Sequence, residues 1–158
     1  MILVKPTLRD LLFLCEHARA DEIEQYEAIV AKEWNPEAVA ADLYARSGIS
    51  LCLFDKATGV PVMAGGWDMR IDGVWAGWMV GTDAGWATHW RSVTKATRRM
   101  MQLLLDRGER RLQIVALESR EKTCEWYARG LKMEREGQMK AYGFNGENAV
   151  MYARTRGP

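Results

Sequence analysis

The sequence predicts a single mixed α/β domain over residues 1–158, and three observations carry that expectation. Strand-length apolar runs and helical-period stretches follow one another in the order β, helices, β-β-β, α, β, α, β-β. Hydrophobic residues make up 48% and charged residues 27%, and 158 residues can bury a core without metal or disulfide support. No repeat, low-complexity tract or linker interrupts the pattern.

Each element has its own warrant. Residues 1–5 form a short strand stopped by Pro6, and Leu8, Leu11, Leu12 and Cys15 recur at helical spacing over 8–18. A second helix covers 21–33 with Ile23, Tyr26 and Val30 as its stripe. Asn35-Pro36 supplies a cap and a first-turn proline for a third helix, Glu37 to Arg46. Ile49 to Phe54 and Val60 to Ile71 are strands around the loop 55–59, and Gly65-Gly66 marks a bulge or a close backbone approach. Asp72-Gly73 turns the chain into a tryptophan-rich strand, Val74 to Val80. A helix from Ala87 to Arg107 stops at Gly108, and Leu112 to Leu117 suits a central strand covered on both faces. Ser119 caps a last helix, with Cys124, Tyr127, Ala128 and Leu131 on one face and Gly130 at its end. Lys132 to Ala141 and Ala149 to Arg154 close the chain as a hairpin.

The elbow Val80-Gly81-Thr82-Asp83-Ala84-Gly85-Trp86 is where chemistry is expected. A strand that stops on glycines and feeds a helix leaves backbone N–H groups unpaired at the positive end of a helix dipole, a generic anion site. Gly81 and Gly85 are the residues freest to take positive φ. Arg91, Lys95, Arg98 and Arg99 follow on one helix face, opposite Val93, Met100, Met101 and Leu104. A solvated face after an ordinary loop is the competing reading. Tyr127 is a candidate proton donor to a departing thiolate, or a packing tyrosine on an apolar face. Asp68 and Asp83 are candidate bases, and either also suits a solvated acid. Trp86 and Trp90 frame the elbow as walls of a groove or a partner surface.

Composition narrows the class. The odd set Cys15, Cys52 and Cys124 has no C-x-x-C pair and reads as buried, reduced thiols in a cytoplasmic protein. Two distant histidines, His17 and His89, do not make a zinc site, so no metal is expected. The apolar start is far short of a membrane span. Charge is uneven: residues 91–158 carry 15 basic and 8 acidic side chains, a sum of +7, whereas 1–90 sum to −6. That asymmetry points to an anionic partner on the C-terminal half or a basic surface without one. Aromatics beside arginines raise single-stranded nucleic acid, which ranks last for want of an RNA-binding motif. No Ser/His/Asp arrangement or P-loop is present.

The element order and the elbow together resemble the GNAT family of N-acetyltransferases over nearly the whole chain. The segment Ser119 to Leu131 looks like that family's Asn-…-Tyr-x-x-x-Gly-Phe motif, with Ser119 at the asparagine, Trp126 at the tyrosine and Tyr127 one residue late. The family's Gln/Arg-x-x-Gly-x-Gly/Ala loop is degenerate here, and Asp83 adds a negative charge. Pro61 to Gly66, Thr82-Asp83, Trp90, the arginine-rich helix and Trp126…Gly130 are closer to a phage-encoded GNAT-like branch that includes a small internal virion protein of short-tailed phages.

The resemblance implies a mostly antiparallel sheet flanked by helices on both faces, with the strand before the elbow splaying from its neighbour. It implies acetyl-CoA as co-substrate in that gap. The backbone of Trp78, Met79 and Val80 would pair with the pantetheine arm, and the amides of Gly81, Thr82, Asp83, Ala84, Gly85 and Trp86 would hold the pyrophosphate. Arg91 and Lys95 would assist, Ser119 would join the cofactor site, Tyr127 would protonate the thiolate, and Asp68 is the candidate base. The partner would be an amine acceptor, a host protein among the options, in the host cytoplasm. The alternative keeps the fold without the chemistry: a virion, self-associating or host-binding contact protein.

Overall fold

The structure, a computed structural model, describes residues 2–157. Seven strands, β1 (Ile2–Val4), β2 (Ile49–Phe54), β3 (Pro61–Ile71), β4 (Val74–Gly81), β5 (Arg111–Leu117), β6 (Glu134–Met139) and β7 (Ala149–Thr155), form one sheet in the order β1-β2-β3-β4-β5-β7-β6. All neighbours are antiparallel except β4 and β5. That parallel pair shares three residue pairs, Val74 with Arg111 to Ala76 with Gln113, and then parts. Gly77 stands at the fork, where an added Cβ would lie 2.8 Å from the Ile114 side chain and 3.0 Å from the Trp67 ring.

Period-2 alternation divides the strands between two helical layers, the arrangement implied by the family resemblance. Helices α1 (Leu8–Glu16) and α3 (Pro36–Ala45) lay Leu11, Leu14, Cys15, Val39 and Ala40 on Cys52, Ala64 and Val80. On the other face α4 (Asp83–Asp106) and α5 (Glu121–Glu125) with the turn that follows it pack with Trp67, Leu112, Val150 and Tyr152 through residues such as Met101, Leu104 and, in that turn, Tyr127. Helix α2 (Ala20–Val30) crosses the region where β4 and β5 part. Thr7 and Asp10 form a capping box on α1, and Asn35 caps α3 with Pro36 in its first turn. Cys15 and Cys52 are buried, and burial pushes each thiol up to about 12.

Three local expectations are corrected, and one left open between two alternatives is decided. Helix α4 begins at Asp83, four residues before Ala87, because the Thr82 hydroxyl caps it by accepting from the Gly85 amide at 3.0 Å. Neither Gly81 nor Gly85 takes positive φ; Gly85 is a first-turn helical residue pressed against β3, where a Cβ would meet the Val62 carbonyl oxygen at 2.3 Å. Ser119 does not cap the last helix: the cap position is Arg120, without a side-chain bond, and α5 runs on into a π turn, Trp126–Gly130. The Gly65-Gly66 pair is the close approach rather than the bulge, since a Cβ on Gly66 would meet the Ile49 carbonyl at 2.4 Å. Pairing in β3 is irregular on either side of these glycines, at Val62 against β2 and at Arg70 against β4, the latter between the Met69–Trp75 and Ile71–Val74 pairs.

Gly85→Ala is expected to lower stability by about 1–3 kcal/mol, because the methyl drives backbone from backbone. Urea denaturation measures this, and an unchanged midpoint would show that the elbow yields freely.

Candidate functional site

The parted strands open onto a cavity of about 420 Å³. Helix α2 reaches across it and supplies an acceptor to each freed edge. Glu22 Oε2 accepts from the Gly81 amide of β4 at 2.8 Å, and Gln25 Oε1 accepts from the Leu117 amide of β5 at 3.1 Å. Buried N–H groups that have lost a strand partner need such substitutes. The inward face of α2 is Glu22, Gln25, Tyr26 and Ile29, at helical spacing. Of the expected stripe Ile23, Tyr26 and Val30, Tyr26 and Val30 line the cavity, Val30 at its exposed edge, whereas Ile23 does not, and Glu22 was not among the sequence candidates. Its only signal there is an acid standing four and seven residues before Tyr26 and Ile29.

Glu22 is 8% exposed. Its Oε1 lies 3.5 Å from the Trp86 indole nitrogen and 3.4 Å from Arg19 Nε, and Arg19 stacks over the Trp86 ring. Arg120 lies close by and donates to Asp21 at 2.9 Å. Burial raises the Glu22 pKa, and Arg19, the Gly81 amide, Arg120 and the Trp86 indole draw it back. Tyr127 also lines the cavity; burial pushes its phenol up to about 12, opposed by Arg120 and reinforced by Glu22. The cavity thus presents a carboxylate of raised proton affinity and a phenol that stays protonated at neutral pH, the types of group that take up and give protons.

The remaining sequence candidates divide. Trp78, Met79, Val80 and Trp86 line the cavity, and past Ala76 the β5-facing edge of β4 has no strand partner. The elbow amides do not form the expected cradle. Gly81 donates to Glu22, Thr82 to the Val62 carbonyl, Gly85 to the Thr82 hydroxyl and Trp86 to the Thr82 carbonyl. Among the described residues this leaves the amides of Asp83 and Ala84, beside the Asp83 carboxylate, at the exposed first turn of α4. Arg91 and Lys95 lie on the exposed face of α4, outside the cavity lining, with Arg91 stacked on Trp90. Ser119 is exposed and also lies outside the lining. Asp68 is committed elsewhere: its carboxylate is buried beneath the end of α3, 3.1 Å from Arg46 Nη1. That pairing corrects the expectation of a base at Asp68.

On the α4 side the seam is closed. Trp86 and Trp126 meet edge to face with centroids 5.0 Å apart, and the Trp126 indole donates to the Thr94 hydroxyl at 2.8 Å. Arg98 donates to the Gly130 and Arg129 carbonyls, tying α4 to the π turn. The π turn holds one more residue than an α turn, and its first two residues, Trp126 and Tyr127, both line the cavity, with Trp126 also closing this seam. No group of three metal-ligating side chains gathers among the described residues, and no helix among them is long and apolar enough to cross a membrane.

No protein-family model matches the sequence, and no match emerges among curated proteins. Solved structures do match. A GNAT-family acetyltransferase from Bacillus anthracis superposes with a TM-score of 0.74 at 9% identity, over 98% of this chain and 93% of that one. A ribosomal-protein-alanine N-acetyltransferase from Brucella melitensis gives 0.76 at 11% identity, over 98% and 99%. A phosphinothricin acetyltransferase from Sinorhizobium meliloti, in complex with AcCoA, gives 0.70 at 17% identity, over 98% and 87%. These likenesses establish the GNAT fold for this chain.

The raised Glu22 pKa has a signed consequence. Between the ordinary value of 4.5 and the folded one, the native state holds more protons than the unfolded state, so stability falls as pH rises through that window. In Glu22→Gln this loss is absent, and the variant's stability relative to wild type is expected to improve as pH is raised from 4.5 towards neutral. Denaturant midpoints across pH measure it; a difference independent of pH would contradict the assignment.

Proposed function

We propose that this protein is a thioester-dependent N-acyltransferase of the GNAT kind, taking acetyl-CoA or a related acyl thioester as donor and a primary amine as acceptor. The single observation that carries this reading is the fork itself: unpaired β4 edge, cavity, Glu22 and Tyr127 occur together at one point. An acyl-pantetheine arm suits the edge from Gly77 to Val80, which offers backbone groups no strand uses. The diphosphate fits less well, because only the Asp83 and Ala84 amides are free at the elbow and Asp83 opposes an anion there.

In the reaction the Glu22 carboxylate takes a proton from the acceptor nitrogen, which forms a bond to the thioester carbonyl carbon. The carbon–sulfur bond breaks, and the departing thiolate takes the phenolic proton of Tyr127. Proton exchange with solvent returns both side chains to their starting states. Burial raises the proton affinity of both groups, so the carboxylate accepts a proton more readily than an exposed one and the phenol stays protonated until a strong base forms beside it.

A second reading is favoured by the closed seam of Trp86, Trp126 and Arg98 and by the committed elbow amides. It makes the protein a non-catalytic contact module, of a phage particle or of a host protein, that keeps the fold and has lost the donor groove.

Calorimetry separates the two. Acetyl-CoA and S-acetyl-pantetheine are expected to bind within a few-fold of each other, because the elbow adds little for the diphosphate. A strong preference for acetyl-CoA would overturn that account of the elbow, and no binding of either at millimolar concentration would leave the contact reading alone. With a thioester donor and an accepted amine, Tyr127→Phe should lower kcat by about 10²-fold with little change in KM; an unchanged kcat would remove Tyr127 from the chemistry.

A further inference from the structure

The cavity opens to solvent on one side. Its lining includes four exposed residues, Val30 of α2, Asp42 of α3, Arg70 of β3 and Tyr142 of the β6–β7 loop; the residues lining its α4 side are buried or half-buried. The Tyr142 loop is fastened beside α2, where the Phe144 amide donates to the Ala28 carbonyl at 2.8 Å. Between mouth and fork the walls are aromatic and aliphatic, including Tyr26, Trp34, Trp78 and Ile29.

The charges along this path are ordered. Asp42 at the mouth is neutralised by Arg46 at 3.0 Å, and Arg46 also binds Asp68. Arg19 and Arg120 are held by Asp21 and Glu22. Arg70 has no ion-pair or hydrogen-bond partner among the described residues, yet it lines the cavity. It is also the extra residue of the β3 irregularity, set between the Met69–Trp75 and Ile71–Val74 pairs. A bulge of this kind re-aims a side chain, and such bulges are frequent beside functional sites. At the far end Glu22 is fixed at Gly81.

We infer that the mouth between α2, α3 and the Tyr142 loop admits an elongated ligand that carries a primary amine at one end, an apolar body and an anionic group at the other. The amine meets Glu22 and the anion meets Arg70. Trp75, level with Arg70, and Gly81, level with Glu22, are six residues apart on β4, about 20 Å of strand. Subtracting the reach of the two side chains leaves a span on the order of 10–15 Å, that of three or four extended residues. A peptide N-terminus with an acidic residue at its third or fourth position has this chemistry, and so does a free ω-amino fatty acid of the same span. The inference deepens the acyl-transfer reading by naming its acceptor.

The test needs no donor, so its failure is distinguishable from failure of the thioester reading. Binding of the C-terminally amidated peptides Ala-Leu-Phe-Glu, Ala-Leu-Phe-Gln and N-acetylated Ala-Leu-Phe-Glu, whose only carboxylate is the glutamate side chain, and of an ω-amino fatty acid is measured by calorimetry on wild type and Arg70→Gln. The free-amine glutamate peptide should bind about tenfold or more tightly than the glutamine peptide, the value of one charge-assisted contact. That preference should vanish in Arg70→Gln, and acetylation should abolish binding. Tighter binding of the ω-amino fatty acid than of the peptide would assign the site to a free small molecule; the reverse would assign it to a polypeptide N-terminus. No binding by any probe, or a glutamate preference that survives Arg70→Gln, would overturn the inference.

Discussion

Parallel strands that part after three residue pairs leave two edges of backbone donors and acceptors inside the protein, and helix α2 resolves that problem. At the fork Gly77 leaves room for the Ile114 side chain, which an added Cβ would meet at 2.8 Å. Beyond it, Glu22 satisfies the β4 amide of Gly81 and Gln25 satisfies the β5 amide of Leu117. An unpaired buried N–H costs about as much as a lost hydrogen bond, so these two side chains hold the gap open as a defined shape.

The same solution makes the gap chemically distinctive. A glutamate chosen to cap a backbone amide is drawn from water, and its proton affinity rises as a result. Arg19, Arg120 and Asp21 surround it, so the charge is compensated without being exposed. Tyr127 arrives from the opposite layer, carried by a helix whose last turn is π. Two proton-transferring groups of opposite tendency thus face one cavity because of how the sheet is finished.

The GNAT fold by itself does not prescribe an activity, since a fold can carry many functions or none. What favours chemistry here lies at the fork, and what favours contact lies at the α4 seam, where two indoles and an arginine tie α4 to the π turn. The elbow contributes to both arguments. Its amides serve the protein's own architecture, which weakens a diphosphate site while stiffening the start of α4.

Sequence alone determined the element order, the strand before the elbow, the third helix with its Asn35 cap, and the central strand at Leu112 to Leu117. Periodicity and capping are local, so they are readable one segment at a time. The elbow was legible as a place but not as a device, because the Gly81 and Thr82 amides are taken by Glu22 and Val62, far away along the chain. Asp68 read as a free acid until α3 brought Arg46 against it. Gln25 and Arg70 carried no local mark, and Glu22 only its helical spacing from Tyr26 and Ile29, since their roles arise from a helix crossing a fork and a bulge turning a side chain. Those are properties of packed elements, and only the tertiary structure decides them.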